Sequence, residues 1–307
     1  MDIFIQQLIN GLTLGAVYAV VALGYTMVYG IIQLINFAHG DVVMVGAMVA
    51  FSVIGALAPS GQPPLVIVLV ATGCAVSACV LIGYAMERLA YRPLRGAPRL
   101  APLITAIGVS IILQHLALMI WSRNPLAFPQ IIKTQSYDIA GATVTNVQIA
   151  ILSISVAIMA GLVALVYRTR LGTAMRATAQ NPQVAGLMGI DANRVIAFTF
   201  VIGAALAAVA GVMVASYYGI AHYAMGSQLG LKAFCAAVLG GIGNIPGAML
   251  GGVLLGLVEA LGAGYIGDLT GNVFGSNYQD VFAFIVLIGV LVLRPSGLLG
   301  ERVGDRA

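Results

Sequence analysis

The sequence predicts an all-α protein, a polytopic transmembrane helical bundle of about eight to nine spans. Three observations carry that prediction. Hydrophobic residues make up 61% of the chain and charged residues 8%, with a mean hydropathy of +1.03, well away from the balance of a soluble domain. Fourteen basic and ten acidic residues are too few to build an ordinary polar surface around a chain of this size. The arginines, finally, sit in short clusters between apolar runs, as membrane topology requires.

The runs follow in order. A span needs about 20 predominantly apolar residues, and candidates occupy 8–29, 41–57, 65–86, 101–121, 147–167, 195–217, 231–239 with flanking residues, 248–266 and 281–293. The N-terminal MDIFIQQLINGLTLG lacks the basic start of a secretory signal, and the apolar run behind it is too long for a cleavable one, so it is expected to stay as the first span. The second run begins on a charged residue. The seventh is short and is then broken by GGIGNIPG, so either is compatible with a re-entrant or half-length helix.

Arginine placement sets the orientation. Arg88, Arg92, Arg95 and Arg99 follow the third run, Arg168, Arg170, Arg176 and Arg194 the fifth, and Arg294, Arg302 and Arg306 the last. By the positive-inside rule these segments are cytoplasmic. The N-terminus is then expected outside and the C-terminus in the cytoplasm, provided 231–239 counts as a crossing. Residues 122–146 form the largest external loop, in which YDIAGATVTN alternates like a short strand. On this reading 1–307 is a single transmembrane domain, and no loop is long enough to be an ATPase domain.

The chemistry-bearing patterns are mostly absent. The one lysine followed by a hydroxyl residue is Lys133, preceded by Ile132, so no phosphate-cradling P-loop exists. There is no H-E-x-x-H helix and no G-x-S-x-G elbow, and His39, His115 and His222 lie far apart in sequence. No catalytic residue and no metal ligand set is identified. Cys74, Cys79 and Cys235 all lie in apolar runs, where a thiol acts as a small hydrophobe. The charge of +4 is explained by topology rather than by nucleic acid.

The segment RTRLGTAMRATAQNPQVAGLMGIDANRV (168–195) is the most informative. Residues 174–179 read as helix; Asn181 and Pro182 offer a cap and a first-turn proline; Val184, Leu187 and Met188 then fall at i, i+3 and i+4 before Gly189 ends the pattern. A short amphipathic helix outside the bilayer follows. A headgroup-resting helix usually carries Lys or Arg, and none occurs between Arg176 and Arg194, which favours an apolar knob offered to a protein groove.

The run GLTLGAVYAVVALGYTMVYGIIQLINFAHGD (11–41), the loop ERLAYRPLR (87–95), the segment just described and KAFCAAVLGGIGNIPGAMLGGVLLGLVEAL (232–261) together resemble the permease of branched-chain amino acid ABC importers, the LivH type. The resemblance covers nearly the whole chain in the same order. It implies the plan of a type II ABC importer permease, paired with a second permease (LivM-like), two ATP-binding subunits (LivG/LivF-like) that hold ATP and Mg, and an extracytoplasmic amino-acid-binding protein. It further implies that 176–191 is the coupling helix gripped by an ATPase, with Arg170, Arg176, Asn181, Pro182, Val184, Leu187, Met188, Gly189 and Asp191 as the coupling residues. In place of the E-A-A-x-x-x-G pattern of other permeases, this chain has Ala177, Thr178 and Ala179 with Gln180.

Polar groups within the apolar runs are the remaining candidates. Asn36, His39 and Asp41 stand where the first run turns into the second; they line the translocation path or its gate, or else Asn36 and Asp41 cap helix ends. If GGIGNIPG is a tight turn, Lys232 and Glu259 lie at depths differing by about 5 Å on antiparallel helices. They then either pair, or Glu259 faces a water-filled vestibule while Lys232 snorkels outward. Gly240, Gly241, Gly243, Gly247 and Gly251 recur at the close spacing that lets helix backbones approach in lipid. The residues alone also admit a stand-alone ion-coupled transporter or channel, an intramembrane enzyme built on the histidines, and, within the importer class, urea or short amides as cargo.

Overall fold

The computed structural model describes residues 2–98, 100–139, 141–269 and 278–300; Arg99, Arg302 and Arg306 lie outside them. An apolar chain in lipid satisfies its backbone internally, and helices do this segment by segment. The helices are α1 (Asp2–Ile32), α2 (His39–Leu57), α3 (Pro64–Ala85), α4 (Leu100–Ile120), α5 (Asn146–Arg168), α6 (Arg170–Gln180), α7 (Pro182–Leu187), α8 (Ala192–Tyr218), α9 (Met225–Gly240), α10 (Ile245–Leu269) and α11 (Gln279–Leu293). Seven of them supply stretches long and apolar enough to cross a membrane. With 16 and 15 residues, α9 and α11 reach about 24 and 22 Å at the helical rise, short of a hydrocarbon core of about 30 Å. The second run is one unbroken helix of 19 residues, and the seventh extends well beyond its apolar centre.

Contacts divide the described chain into two compact units. The first comprises Met1–Thr26, Thr134–Ala160 and Lys232–Ala307. Here α1 lies backbone to backbone on α10: a Cβ on Gly15 would fall 2.7 Å from Val253 Cα, and one on Gly256 would strike the Gly15 backbone. The break between α9 and α10 is a tight turn, with Gly241 at φ +104° and Gly243 at φ +94°, conformations open to glycine at little cost. The two helices then run antiparallel, Gly240 against Gly247 and Gly251 against Ala236. Asn244 fixes the turn by accepting from Gly247 N at 3.0 Å and donating to Leu299 O at 2.8 Å. The alternating segment within 122–146 is a two-stranded hairpin, β2 (Ser136–Ile139) with β3 (Ala142–Thr145). The Gln6 side chain of α1 holds it, accepting from Thr143 N at 2.8 Å and donating to Thr143 O at 3.2 Å.

The second unit comprises Met27–Lys133 and Gly161–Leu231, and its core is α2, α3 and α8. Glycine again sets the distances: Gly46 abuts Ala208, Gly83 abuts Ala204 and Gly211 abuts the Val43 carbonyl, with no room for a side chain. In lipid, such small-residue contacts stand in for the hydrophobic effect. A short antiparallel pair, β1 (Leu126–Ala127) with β4 (Ile220–Ala221), closes one end. At the other end α3 continues as a π-helical turn, Met86–Tyr91, a widened geometry that is frequent at functional sites.

Candidate functional site

In the second unit, the helix read at 174–179 and the short amphipathic helix read after Asn181 form as α6 and α7, so the coupling helix implied over 176–191 is two helices broken at Asn181. Thr169 caps α6 by accepting from Gly172 N at 3.1 Å, and Asn181 caps α7 by accepting from Gln183 N and Val184 N at 3.0 and 3.1 Å. Pro182 sits in the first turn, where its missing N–H costs nothing. The chain leaves α7 through Gly189 at φ +82°, and Asp191 caps α8 by accepting from Asn193 N and Arg194 N. Arg176 fastens α6 to the end of α5: its guanidinium donates to the Val166 carbonyl and lies 5.6 Å from the Tyr167 ring centroid. Arg170 is exposed. With caps and anchor facing inward, Val184, Leu187 and Met188 are left pointing out, the last two 87% and 80% exposed.

The junction of α1 and α2 is buried and polar. Gln33 takes a positive φ of 53°, and the turn brings Asn36, His39 and Asp41 inside, each less than a twentieth exposed. Asn36 Oδ1 accepts from Ala38 N at 3.2 Å and from the Tyr91 hydroxyl at 2.9 Å, so it both shapes the turn and ties it to the π-helical turn. Asp41 does not cap α2, which has no side-chain cap. Its carboxylate instead accepts from Ser110 Oγ at 2.5 Å and Gln114 Nε2 at 3.0 Å on α4. Nearby, Arg95 pairs with buried Glu87 and donates to Asn193 Oδ1 at 2.5 Å; burial pushes its guanidinium below the ordinary value, against the opposing pull of Glu87.

In the first unit Lys232 and Glu259 meet, Nζ to Oε1 at 2.7 Å. Glu259 is 1% exposed and also accepts from the Tyr18 hydroxyl at 3.0 Å. Lys232 also reaches a second acidic partner, Asp280 at the start of α11, at 2.7 Å. Sequence reasoning missed Tyr18 and Asp280, along with Ser110, Gln114 and Tyr91. A polar pair at i, i+4 in an otherwise apolar run was a readable signal for Ser110 and Gln114, but nothing local names their partner. No group of three or more metal-ligating side chains gathers among the described residues.

A bundle of this length and apolarity, broken by a few buried polar clusters and a short helix with an exposed apolar tip apart from the long spans, has the form of a polytopic membrane permease. The chain belongs to the family described as the branched-chain amino acid transport system permease component, which matches residues 7–291. It is 47% identical over 97% of its length, and 96% of the relative's, to the high-affinity branched-chain amino acid transport system permease protein BraD of Pseudomonas aeruginosa. It is 45% identical over the same shares to the LivH permease protein of Escherichia coli K12. A probable LivH permease of Methanocaldococcus jannaschii is 29% identical over 91% of this chain and 87% of its own.

Proposed function

We propose that this chain is the membrane-spanning subunit of an importer that moves branched-chain amino acids through alternating access, powered by ATP hydrolysed on partner chains. It works with a second permease, two ATP-binding subunits that hold ATP and Mg, and an extracytoplasmic binding protein, and itself performs no covalent step. Family membership supports the cargo class. The observation that carries the mechanism is the apolar tip of α7: Leu187 and Met188 stand almost fully exposed on a capped, anchored helix outside the spans. Two adjacent, almost fully exposed aliphatic side chains on a capped and anchored helix without a basic face favour a partner groove as their cover.

The clustering of arginines supports an orientation with the N-terminus outside, the C-terminus and the 168–195 segment in the cytoplasm, and the 122–146 hairpin region facing the binding protein. Asn36, His39 and Asp41 are assigned to the cytoplasmic gate, because their hydrogen bonds join α1, α2, α4 and the π-helical turn. The internally matched charges of Lys232 and Glu259 favour a fixed wall of the path over a mobile charge.

The test is reconstitution with the partner ATPases and binding protein in liposomes. Leucine uptake must need ATP, and a Leu187→Asp, Met188→Asp double variant must lose at least 30-fold of ATPase affinity, roughly 2 kcal/mol at a hot spot, while folding normally. Uptake by the chain alone under an ion gradient would overturn the proposal.

A further inference from the structure

A cavity of about 390 Å³ opens in the second unit between the end of α3, its π-helical continuation and the start of α8. Its lining divides by chemistry along its length. From the first side come Tyr84, Arg88 and Arg92, spaced four residues apart, and from the second Arg194, Phe198 and Val201. The helices run in opposite directions, so the cationic ends coincide and the apolar ends coincide. At the helical rise, Arg92 to Tyr84 and Arg194 to Val201 each cover about 11 Å along the axis, close to the depth from a headgroup phosphate into the upper acyl region.

The charges in this groove do not cancel. Glu87 is matched by Arg95 and Asp191 by Arg194 at 3.2 Å. Arg88 donates only to the Tyr84 hydroxyl, at 3.0 Å, and neither Arg88 nor Arg92 has a carboxylate partner among the described residues. The amino end of α8 lies here as well, but its first N–H groups are taken by Asp191, so an added anion is left to Arg88 and Arg92. Along the widened turn Tyr84, Arg88 and Arg92 share the groove side, and Glu87, which also lines it, is held by Arg95. Phe198 and Leu81, by contrast, are exposed on spans, so the apolar end opens toward hydrocarbon.

We propose that this groove is a binding site for one anionic phospholipid of the leaflet that meets the arginine-rich loops, with its phosphate on Arg88 and Arg92 and one acyl chain along Tyr84, Phe198 and Val201. Basic pockets between membrane helices select such headgroups, and the apolar slot excludes a free phosphate as the intended occupant. The α8 start that forms one wall directly follows the coupling segment, so occupancy holds that segment's exit in place. The site does not depend on the proposed cargo or on the direction of transport.

The full chain purified in mild detergent tests this by native mass spectrometry, with phosphatidylglycerol or phosphatidylcholine added. The wild-type chain is expected to retain phosphatidylglycerol in preference to phosphatidylcholine by about 25-fold, about fivefold for each of the two arginines. An Arg88→Gln, Arg92→Gln variant is expected to lose about fivefold of that preference per arginine, and the Arg88→Lys, Arg92→Lys variant to keep most of it. An Arg123→Gln, Lys133→Gln variant, altered far from the groove in sequence, controls for net charge and should match wild type. Equal retention of both lipids, an unchanged preference in the double glutamine variant, an equal loss in the control, or displacement of the lipid by millimolar inorganic phosphate would each overturn the site. Leucine uptake is not needed for the readout, so failure here and failure of the transport reading remain separate.

Discussion

Replacing Lys232 with Met is the sharpest probe of the first unit. The ammonium lies 2.7 Å from Glu259 and 2.7 Å from Asp280, but the two acids differ in their need for it. Glu259 is 1% exposed, whereas the Asp280 side chain is 47% exposed and solvated in its own right. Lys232→Met therefore strands a buried carboxylate with a single tyrosine hydroxyl, a loss of about 3 to 5 kcal/mol. Glu259→Gln should cost less, about 1 to 3 kcal/mol, since Lys232 keeps Asp280 and the new amide can still accept a hydrogen bond. Asp280→Asn should fall below about 1 kcal/mol, in the range of an exposed pair. Combining Lys232→Met with Glu259→Gln removes the stranded charge, so the double variant should recover about 2 kcal/mol relative to the sum of the singles. Denaturant unfolding of the detergent-solubilised chain measures all four. Strictly additive losses, or an Asp280→Asn as costly as Lys232→Met, would refute the reasoning.

Three further outcomes follow from the geometry. Tyr18→Phe removes one hydrogen bond to the buried Glu259 carboxylate and should cost about 1.5 to 3 kcal/mol in the same unfolding assay. Gly256→Val drives a side chain into the Gly15 backbone and should abolish the folded peak in size-exclusion chromatography, while Gly108→Ala, with open space around it, should be neutral or stabilise by up to about 1 kcal/mol. Asn181→Ala removes the acceptor for two backbone N–H groups; it should loosen α7 by about 1 kcal/mol, seen as faster hydrogen exchange of Val184 and Ala185 with no change at α8.

What the sequence disclosed was whatever depends on near neighbours. The turn at GGIGNIPG is legible because glycine pairs impose it, and once the turn is fixed the similar depth of Lys232 and Glu259 is arithmetic along two helices, although the sequence leaves their pairing open against a vestibule-facing Glu259. The cap at Asn181 is legible for the same reason, whereas Asp191, expected only as a coupling residue, proves to cap α8. Asp280 was not legible, because its approach to Lys232 depends on how α11 packs, and an aspartate at a helix start reads first as a cap. Asp41 misled in that way: it stands in the first turn of α2, where capping and dipole arguments apply, yet its carboxylate is taken by Ser110 and Gln114 of α4. The π-helical turn had no compositional mark at all, since MERLAY would serve equally well in an α-helix.

The contrast in burial between α1 and α3 runs against soluble-protein intuition, and the reason is physical. Of the seven long spans, α1 and α10 have the lowest mean hydropathy and α3 the highest, yet the most apolar window of α1 is 78% buried and that of α3 only 22%. Lipid tails are as apolar as leucine, so burying a large aliphatic side chain against protein gains little; small residues and hydrogen-bonding groups gain most, through close packing and matched polar contacts. The glycine-rich faces of α1 and α10, with Tyr18 and Glu259, therefore turn inward, while Leu69 and Leu81 of α3 and Met119 of α4 stay outside. Single cysteines placed at Leu81 and Met119 in the purified chain should react readily with a photoactivatable, bilayer-partitioning thiol reagent, and cysteines at Val20 and Leu255 should not. Equal labelling at all four positions would mean that apolarity, rather than residue size and hydrogen bonding, decides which spans face the lipid.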